Sequence, residues 1–285
     1  MYISTEINSY KKFGDIRAVL TLLKEAGFTA YDFSMFGKSW MQPNEFLEAE
    51  DYIEQAKALR AFADGIGIAC NQSHAPFPTL VKGNEAYNEQ TFPYLVRAIE
   101  VSGILGVKVV VVHPGNDHTA EENAVFYKKL EPYARKAGVK IGLENMWNWD
   151  REKGHTRAAA CSHHDDFKKH LDLLPKDVFV ACLDIGHAEM FRDETNAVKM
   201  IETLGERLQA IHLHDVDKTH DNHSIPFVQK VDYASVIEAL KKTGYQGDIT
   251  LEADTFAKGA PKELVPAAAR YAAAVADYFK TQMEK

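Results

Sequence analysis

The sequence predicts an α/β protein of the (β/α)8, or TIM-barrel, class, and three observations carry that prediction. Short apolar runs alternate eight times with longer amphipathic segments over 285 residues, the length of one such barrel. The run 107–112 is nearly all β-branched, as suits a parallel strand buried on both faces. No linker, low-complexity tract or charge block interrupts the chain, so residues 1–285 are expected to form a single domain. A doubly wound open sheet is the alternative. It loses support because the first βα turn carries no G-x-G-x-x-G.

Each element has a local reason. Residues 2–7 read as a strand, and Asp15 is a good N-cap for a helix that runs to Ala26 and stops at Gly27. A strand over 28–34 and a long helix over 44–65 follow. The strand 66–73 ends in His74-Ala75-Pro76-Phe77-Pro78, whose prolines enforce a loop. A helix over 85–105 leads to strand 107–112 and His113-Pro114-Gly115, and a helix over 120–137 leads to strand 140–143 and Glu144-Asn145. The loop 146–161 is long and holds Trp147 and Trp149; loops of that length are often functional.

Ser162 is the expected cap of a helix over 164–174, with acids in its first turn. Strand 178–183 then ends in Asp184-Ile185-Gly186-His187. A helix over 194–204, the strand 209–214, a helix over 233–242 stopped by Gly244, the strand 248–251 and an alanine-rich helix over 261–279 complete the pattern.

Bulk composition narrows the partners. Asp and Glu outnumber Lys and Arg by 41 to 33, a net charge of −8, which argues against an electrostatic nucleic-acid partner. The chain starts in strand-like sequence without a basic n-region or apolar h-region, and no apolar run approaches membrane-spanning length. Cys70, Cys161 and Cys182 lack CxxC spacing and read as reduced thiols of a cytoplasmic protein. Self-association into a homo-oligomer is compatible with these numbers.

The chemistry is expected where the strands end, because a parallel barrel collects those ends on one rim. Six consecutive strands end in a residue able to bind metal: His74, His113, Glu144, Asp184 with His187, His212 with His214, and Glu252. Asp221 and His223 follow in the loop after the seventh strand. Glu144, Asp184, His212 and Glu252 can converge on one ion with three carboxylates and one imidazole, leaving positions for substrate. His214 shares a strand face with His212 and is the alternative ligand. Imidazole with carboxylate suits Zn, Mn, Fe or Co, whereas an all-oxygen set would suit Mg or Ca better; the expected cofactor is a divalent metal, with Mn, Zn, Co and Mg as the candidates.

Glu144 and Glu252 can each bind through one oxygen and use the other as acid or base. His187 permits a second contact from the turn of Asp184. His74 and His113 have three roles open to them: a further metal, substrate oxygens, or hydrogen bonds within the rim. Trp147 and Trp149 lid the pocket, stack on the substrate or pack under the loop, with Trp147 the candidate substrate contact. Glu6 and Asp32 are candidates to point into the barrel mouth and bind a substrate hydroxyl.

These residues carry a resemblance. Leu183-Asp184-Ile185-Gly186-His187, Ile211-His212-Leu213-His214-Asp215 and Thr250-Leu251-Glu252 resemble the xylose isomerase-like barrel superfamily. More narrowly, they are similar to sugar phosphate isomerases and epimerases, with ketose 3-epimerases and endonuclease IV as relatives. Similarity to the epimerases implies metal on Glu144, Asp184, His212 and Glu252, and proton transfer by Glu144 and Glu252. It also implies His187 on a substrate oxygen, with Asp150 and Lys218 near the sugar hydroxyls; an arginine is usual at the position of Lys218.

Similarity to endonuclease IV implies a trinuclear zinc site on His74, His113, Glu144, Asp184, His187, His212, Asp221, His223 and Glu252. Both groups favour a Gly-Glu-Gly turn where this chain has Ser224-Ile225-Pro226-Phe227-Val228. Phe77 or Trp40 would be the DNA-wedging side chains, or would cap a sugar's apolar face. Clustered basic loop residues are missing, so a sugar, sugar phosphate or polyol is the expected substrate rather than DNA. The expectation is a metal-dependent isomerase or epimerase working through an enediolate. The alternatives are a metal-dependent phosphodiesterase of the AP-endonuclease kind and a non-catalytic sugar- or metal-binding barrel.

Overall fold

The computed structural model describes residues 1–37, 41, 44–191 and 195–285. Its strands, in chain order, are β1 (Ile3–Thr5), β2 (Ala30–Ser34), β3 (Ala69–His74), β4 (Val109–Val111), β5 (Lys140–Glu144), β6 (Trp147–Asp150), β7 (His155–Ala158), β8 (Phe179–Asp184), β9 (Leu208–His212) and β10 (Ile249–Leu251). Strands β2, β3, β4, β5, β8 and β9 lie side by side, all parallel, and β1 pairs in parallel with β10. Bridges between Glu6 and Asp32 and between Leu213 and Leu251 join the two sheets and close the cylinder. This is the predicted (β/α)8 barrel.

The β-branched run behaves as its composition predicted. Val109 and Val111 pack inside the barrel with Val180, Cys182 and Ala210, while Val110 and Val112 join the larger core under the helices. Burial on both faces leaves such a strand no polar side, so only its end can carry chemistry. The helices are held by local capping. Asp15 accepts from the Ala18 amide, and Thr119 with Glu122 forms a reciprocal capping box at the start of Ala120–Ala137.

Three local expectations are corrected. The helix expected over 44–65 is two, Glu45–Glu48 and Tyr52–Ile66, because Ala49 leaves helical backbone (ψ 139). The loop 146–161 contains an antiparallel hairpin, with Trp147 opposite Ala158 and Asp150 opposite His155. The helix His164–Asp172 is capped by His163, whose side chain accepts from the Asp165 amide. Ser162 instead ties the loop, donating to the carbonyls of Met146 and Ala159. Trp40, and Glu194 at the expected start of the helix that runs Ala197–Leu204, lie outside the described residues. Among the described residues, no helix is long and apolar enough to cross a membrane.

Candidate metal centre

Strand ends deliver the side chains of the rim to one place. Glu144, Asp184, His212 and Glu252 each offer a ligand atom, and these atoms all lie within 4.8 Å of one another. His212 Nδ1 is the hub: Glu252 Oε2 is 2.9 Å away, Glu144 Oε1 3.4 Å and Asp184 Oδ2 3.9 Å. Three further groups share or flank this one, the first being Asp32, His74 and His212. His74 and His113 meet Glu144 on one side, with His113 Nε2 3.0 Å from Glu144 Oε2. On the other side His187, His214, Asp221 and His223 converge, with Asp221 Oδ2 3.0 Å from His223 Nε2 and 3.4 Å from His187 Nε2.

In several of these histidines one ring nitrogen is tied to the protein and the other faces the cluster. His187 Nδ1 lies 2.9 Å from the Asn145 carbonyl and His223 Nδ1 2.7 Å from the Glu252 carbonyl, so each imidazole donates there and turns Nε2 inward. His74 does the same against Asp32. Metal-binding histidines are oriented in this way. The inward atoms find little else to bond. His74 Nε2, Glu144 Oε2, His187 Nε2, His212 Nδ1, His214 Nδ1, Asp221 Oδ1 and Glu252 Oε2 are buried and none makes a hydrogen bond. Buried polar atoms are rarely left so. The donor set, with orphaned carboxylate and imidazole atoms facing one another, fits a divalent metal.

Electrostatics point the same way. Burial alone would pull His187 down, but the carboxylates of Asp184, Asp221 and Glu144 outweigh it and hold the imidazole up to about 10. His212 and His223 are likewise held well above their usual value against burial, His212 by Cys182, Glu252 and Glu144, and His223 by Asp221, Glu252 and Asp184. Burial would raise Glu144 and Glu252; the histidines beside them win and push both carboxyls low. Protons on the imidazoles therefore balance the acids, and a divalent cation would take their place.

The remaining expected residues divide between the site and its surroundings. His214 was expected to touch substrate or to replace His212. It is fully buried, with Nε2 2.8 Å from Asp184 Oδ1 and its ring stacked 4.1 Å from that of His223. Gly186 makes room for it, since a Cβ there would come within 2.1 Å of the His214 ring. Asp150 was expected near the sugar hydroxyls; its carboxylate instead closes the hairpin turn, accepting from the amides of Glu152 and Lys153. Lys218 is committed to Glu189 Oε2 at 3.2 Å. Asp215, part of the His-rich motif, accepts from the amides of Val216, Val228, Gln229 and Val231 and so shapes the following loop.

Glu6 caps the short helix Ile7–Phe13 rather than reaching the mouth. Trp147 does reach the site: its Nε1 donates to Asp221 Oδ2 at 3.1 Å, while Trp149 stacks on His220. Phe77 packs on His113 and Phe36, forming an aromatic wall. Sequence reading missed Asn145, whose amide grips the Asp184 backbone in both directions at 2.8 and 2.9 Å. Its only signal was its place after Glu144.

Comparisons with known proteins follow from this geometry. The xylose isomerase-like TIM barrel family matches residues 20–276. An uncharacterized protein from Methanocaldococcus jannaschii is 30% identical over 190 residues, 63% of this chain and 62% of that protein, so the match spans less than two thirds of the archaeal chain. The fold superimposes on D-psicose 3-epimerase, solved in the presence of D-fructose, with a TM-score of 0.74, 14% identity and coverage of 98% of this chain and 99% of that one. It also superimposes on the IOLI protein with a bound zinc atom, with a TM-score of 0.69, 17% identity and coverage of 99% and 98%. At such identities the likeness is one of fold. The matched residues span most of the chain, and on that ground the chain belongs to the xylose isomerase-like TIM barrel family.

Proposed function

We infer that the protein is a divalent-metal-dependent isomerase or epimerase of a sugar or sugar-derived substrate, working by proton transfer in one catalytic domain. The observation that carries this is the pair Glu144 and Glu252. Both carboxylates are largely buried and converge on His212 Nδ1, at 3.4 and 2.9 Å. Glu144, Asp184, His212 and Glu252 are the residues that would hold the cation, manganese, zinc, cobalt or magnesium. When bound, that ion supplies charge to offset the negative charge developing on a carbonyl oxygen and its neighbouring hydroxyl.

The protein's own groups do the rest. One glutamate takes the proton from the carbon beside the carbonyl, the C–H electron pair becomes a carbon–carbon double bond, and the carbonyl π pair moves to oxygen. Return of a proton to the opposite face of that carbon epimerises it; return to the former carbonyl carbon, with the hydroxyl on the first carbon giving up its proton to the former carbonyl oxygen, moves the carbonyl. His187, anchored through Nδ1, offers Nε2 to a substrate oxygen. Phe77 and Trp147 give the site apolar walls suited to the carbon skeleton. The sugar epimerase and zinc-holding neighbours support the class of substrate and cofactor. The test is exchange of substrate α-hydrogen with solvent deuterium, which should need metal and should vanish in Glu252→Gln.

A second reading, metal-dependent phosphodiester hydrolysis, is favoured by one observation. The groups His74–His113–Glu144 and His187–His214–Asp221–His223 flank the central four and share or touch their carboxylates. Metal-dependent nicking of abasic DNA without deuterium exchange in any sugar would establish it. More than one equivalent of bound metal, lost stepwise in His113→Ala and His223→Ala, would show that the flanking groups are ligands.

A further inference from the structure

Asp32 has no part in the scheme above, yet it is one of the most enclosed carboxylates of the chain, with no exposed surface. Its position is set by an irregularity in the sheet. Between β2 and β3 the register shifts after Tyr31, so Asp32 stands opposite Gln72 and Ser34 opposite His74. Bulges of this kind re-aim side chains beside active sites. Gln72 and His74, two residues apart on one strand, share a face, and the shift brings Asp32 against both.

The contacts are specific. Asp32 Oδ2 lies 3.0 Å from His74 Nδ1 and Oδ1 3.2 Å from it. Asp32 Oδ2 also accepts from Gln72 Nε2 at 3.1 Å. The Gln72 amide in turn sits 2.5 Å from His212 Nε2, and Cys182 Sγ closes the same edge of that ring at 3.3 Å. One carboxylate therefore backs two imidazoles, one directly and one through an amide. The edges left over, His74 Nε2 and His212 Nδ1, are the ones that face the glutamates and have no hydrogen bond. Asp32 meets the edge of His74 opposite the glutamates, where an orienting partner sits, although Asp32, His74 and His212 also bring ligand atoms within 4.8 Å of one another.

We propose that Asp32 is the positioning residue of the site, locking His74 directly and His212 through Gln72 so that Nε2 of the first and Nδ1 of the second face Glu144 and Glu252. Asp32 behind His74 places the proton on Nδ1 and leaves Nε2 as the lone pair, while the Gln72 amide fixes the His212 ring through its contact with Nε2. Asp32→Asn keeps the shape but gives up the charge and one of the two acceptor oxygens, so that His74 Nδ1 and Gln72 Nε2 are left to share a single neutral oxygen. Orientation is present in the metal-free protein; its effect on metal rests on the metal reading given above.

The experiment uses metal-free protein labelled with 15N at histidine, followed by titration with Zn2+ and Mn2+ against a chromophoric chelator. In the wild type, His74 should carry its proton on Nδ1. In Asp32→Asn it should become a mixture of tautomers, and metal affinity should fall about 10- to 100-fold, the usual cost of losing such a partner. Gln72→Leu, the milder variant should Asp32→Asn fold poorly, should disturb the His212 signals while leaving those of His74 unchanged.

An unchanged His74 tautomer and an affinity within about twofold of wild type in folded Asp32→Asn would overturn the proposal. So would loss of one whole metal equivalent with the tautomer unchanged, since Asp32 would then be a ligand. A wild type that binds neither ion but shows the Asp32-dependent tautomer would refute the metal reading and leave the positioning role standing.

Discussion

At the end of the barrel where the strands begin, polar groups are paired off. Lys140 Nζ donates to Gln209 Oε1 at 2.8 Å, and Asp248 Oδ1 accepts from the Tyr2 amide at 2.7 Å. Lys140, Gln209 and Asp248 line a cleft of ≈ 570 Å³, in which Asn71 Oδ1 is the one buried side-chain atom left unbonded among the described lining residues. At the other end of the same strands, Glu144, His212 and Glu252 crowd together with unbonded atoms facing one another. Both rims contain charge, so charge does not distinguish them. What distinguishes them is satisfaction: the first rim resembles ordinary structural pairing, and the second holds acids and imidazoles in a state that a cation and a substrate would complete.

The largest test of this contrast is Glu252→Gln. An amide oxygen still binds metal but cannot take a proton, so deuterium exchange should fall about 10²- to 10⁴-fold while elemental analysis finds the metal retained. Exchange at the wild-type rate would remove Glu252 from the chemistry and the rim from its proposed role.

Removing metal comes next. A chelator should lower thermal stability, with re-addition at about 1,000 times Kd restoring roughly 4 kcal/mol. Because His212, the imidazole of the ligand set, is held well above its usual value, metal uptake at neutral pH should release protons. Calorimetry in buffers of different ionisation enthalpy measures that release; uptake without it would mean that the imidazoles are not displaced.

A third prediction concerns Glu6, at the head of β1's connection. Burial raises its carboxyl from 4.5 to about 7, opposed by hydrogen bonds from Ser34 and Asn8. For an acid with a raised pKa, the folded state binds the extra proton between 4.5 and 7. The stabilisation is thus complete below pH 4.5 and is lost as pH rises through 7. Relative to Glu6→Gln, the wild type should lose up to roughly 3 kcal/mol over that window in urea titrations. Parallel pH profiles for the two proteins would show that Glu6 ionises normally.

The smallest effect is expected at the opposite rim. Lys140→Met removes a single half-exposed hydrogen bond to Gln209 and should cost about 1 kcal/mol or less. Metal affinity and exchange should not change. A tenfold loss of either would mean that the two rims are coupled.

The strands and the ends that carry ligands were legible because a parallel barrel imposes a simple rule. Val107 to Val112 read as buried on both faces, and the first residue able to bond beyond such a run is the one that reaches the rim. Glu144, Asp184 and Glu252 each stand at that position and are drawn together in the fold. The hairpin Trp147–Ala158 was hidden because its turn rests on Asp150, a side chain that looked like a hydroxyl ligand. The surroundings of His214 were hidden for a related reason: a strand face shows that two histidines point the same way, but not that Asp184 and the His223 ring lie over one of them.

Periodicity, capping residues and the identity of the strand ends thus determined the barrel and the inventory of candidate ligands from the chain alone, since each depends on neighbours a few residues apart. Which nitrogen each histidine turns inward, and which carboxylate stands behind it, was decided only in three dimensions. Asp32, Gln72 and His212 are 40 and 140 residues apart in their successive contacts, and a single register shift between two strands sets their meeting. No local pattern encodes a contact that exists only after the sheet has closed on itself.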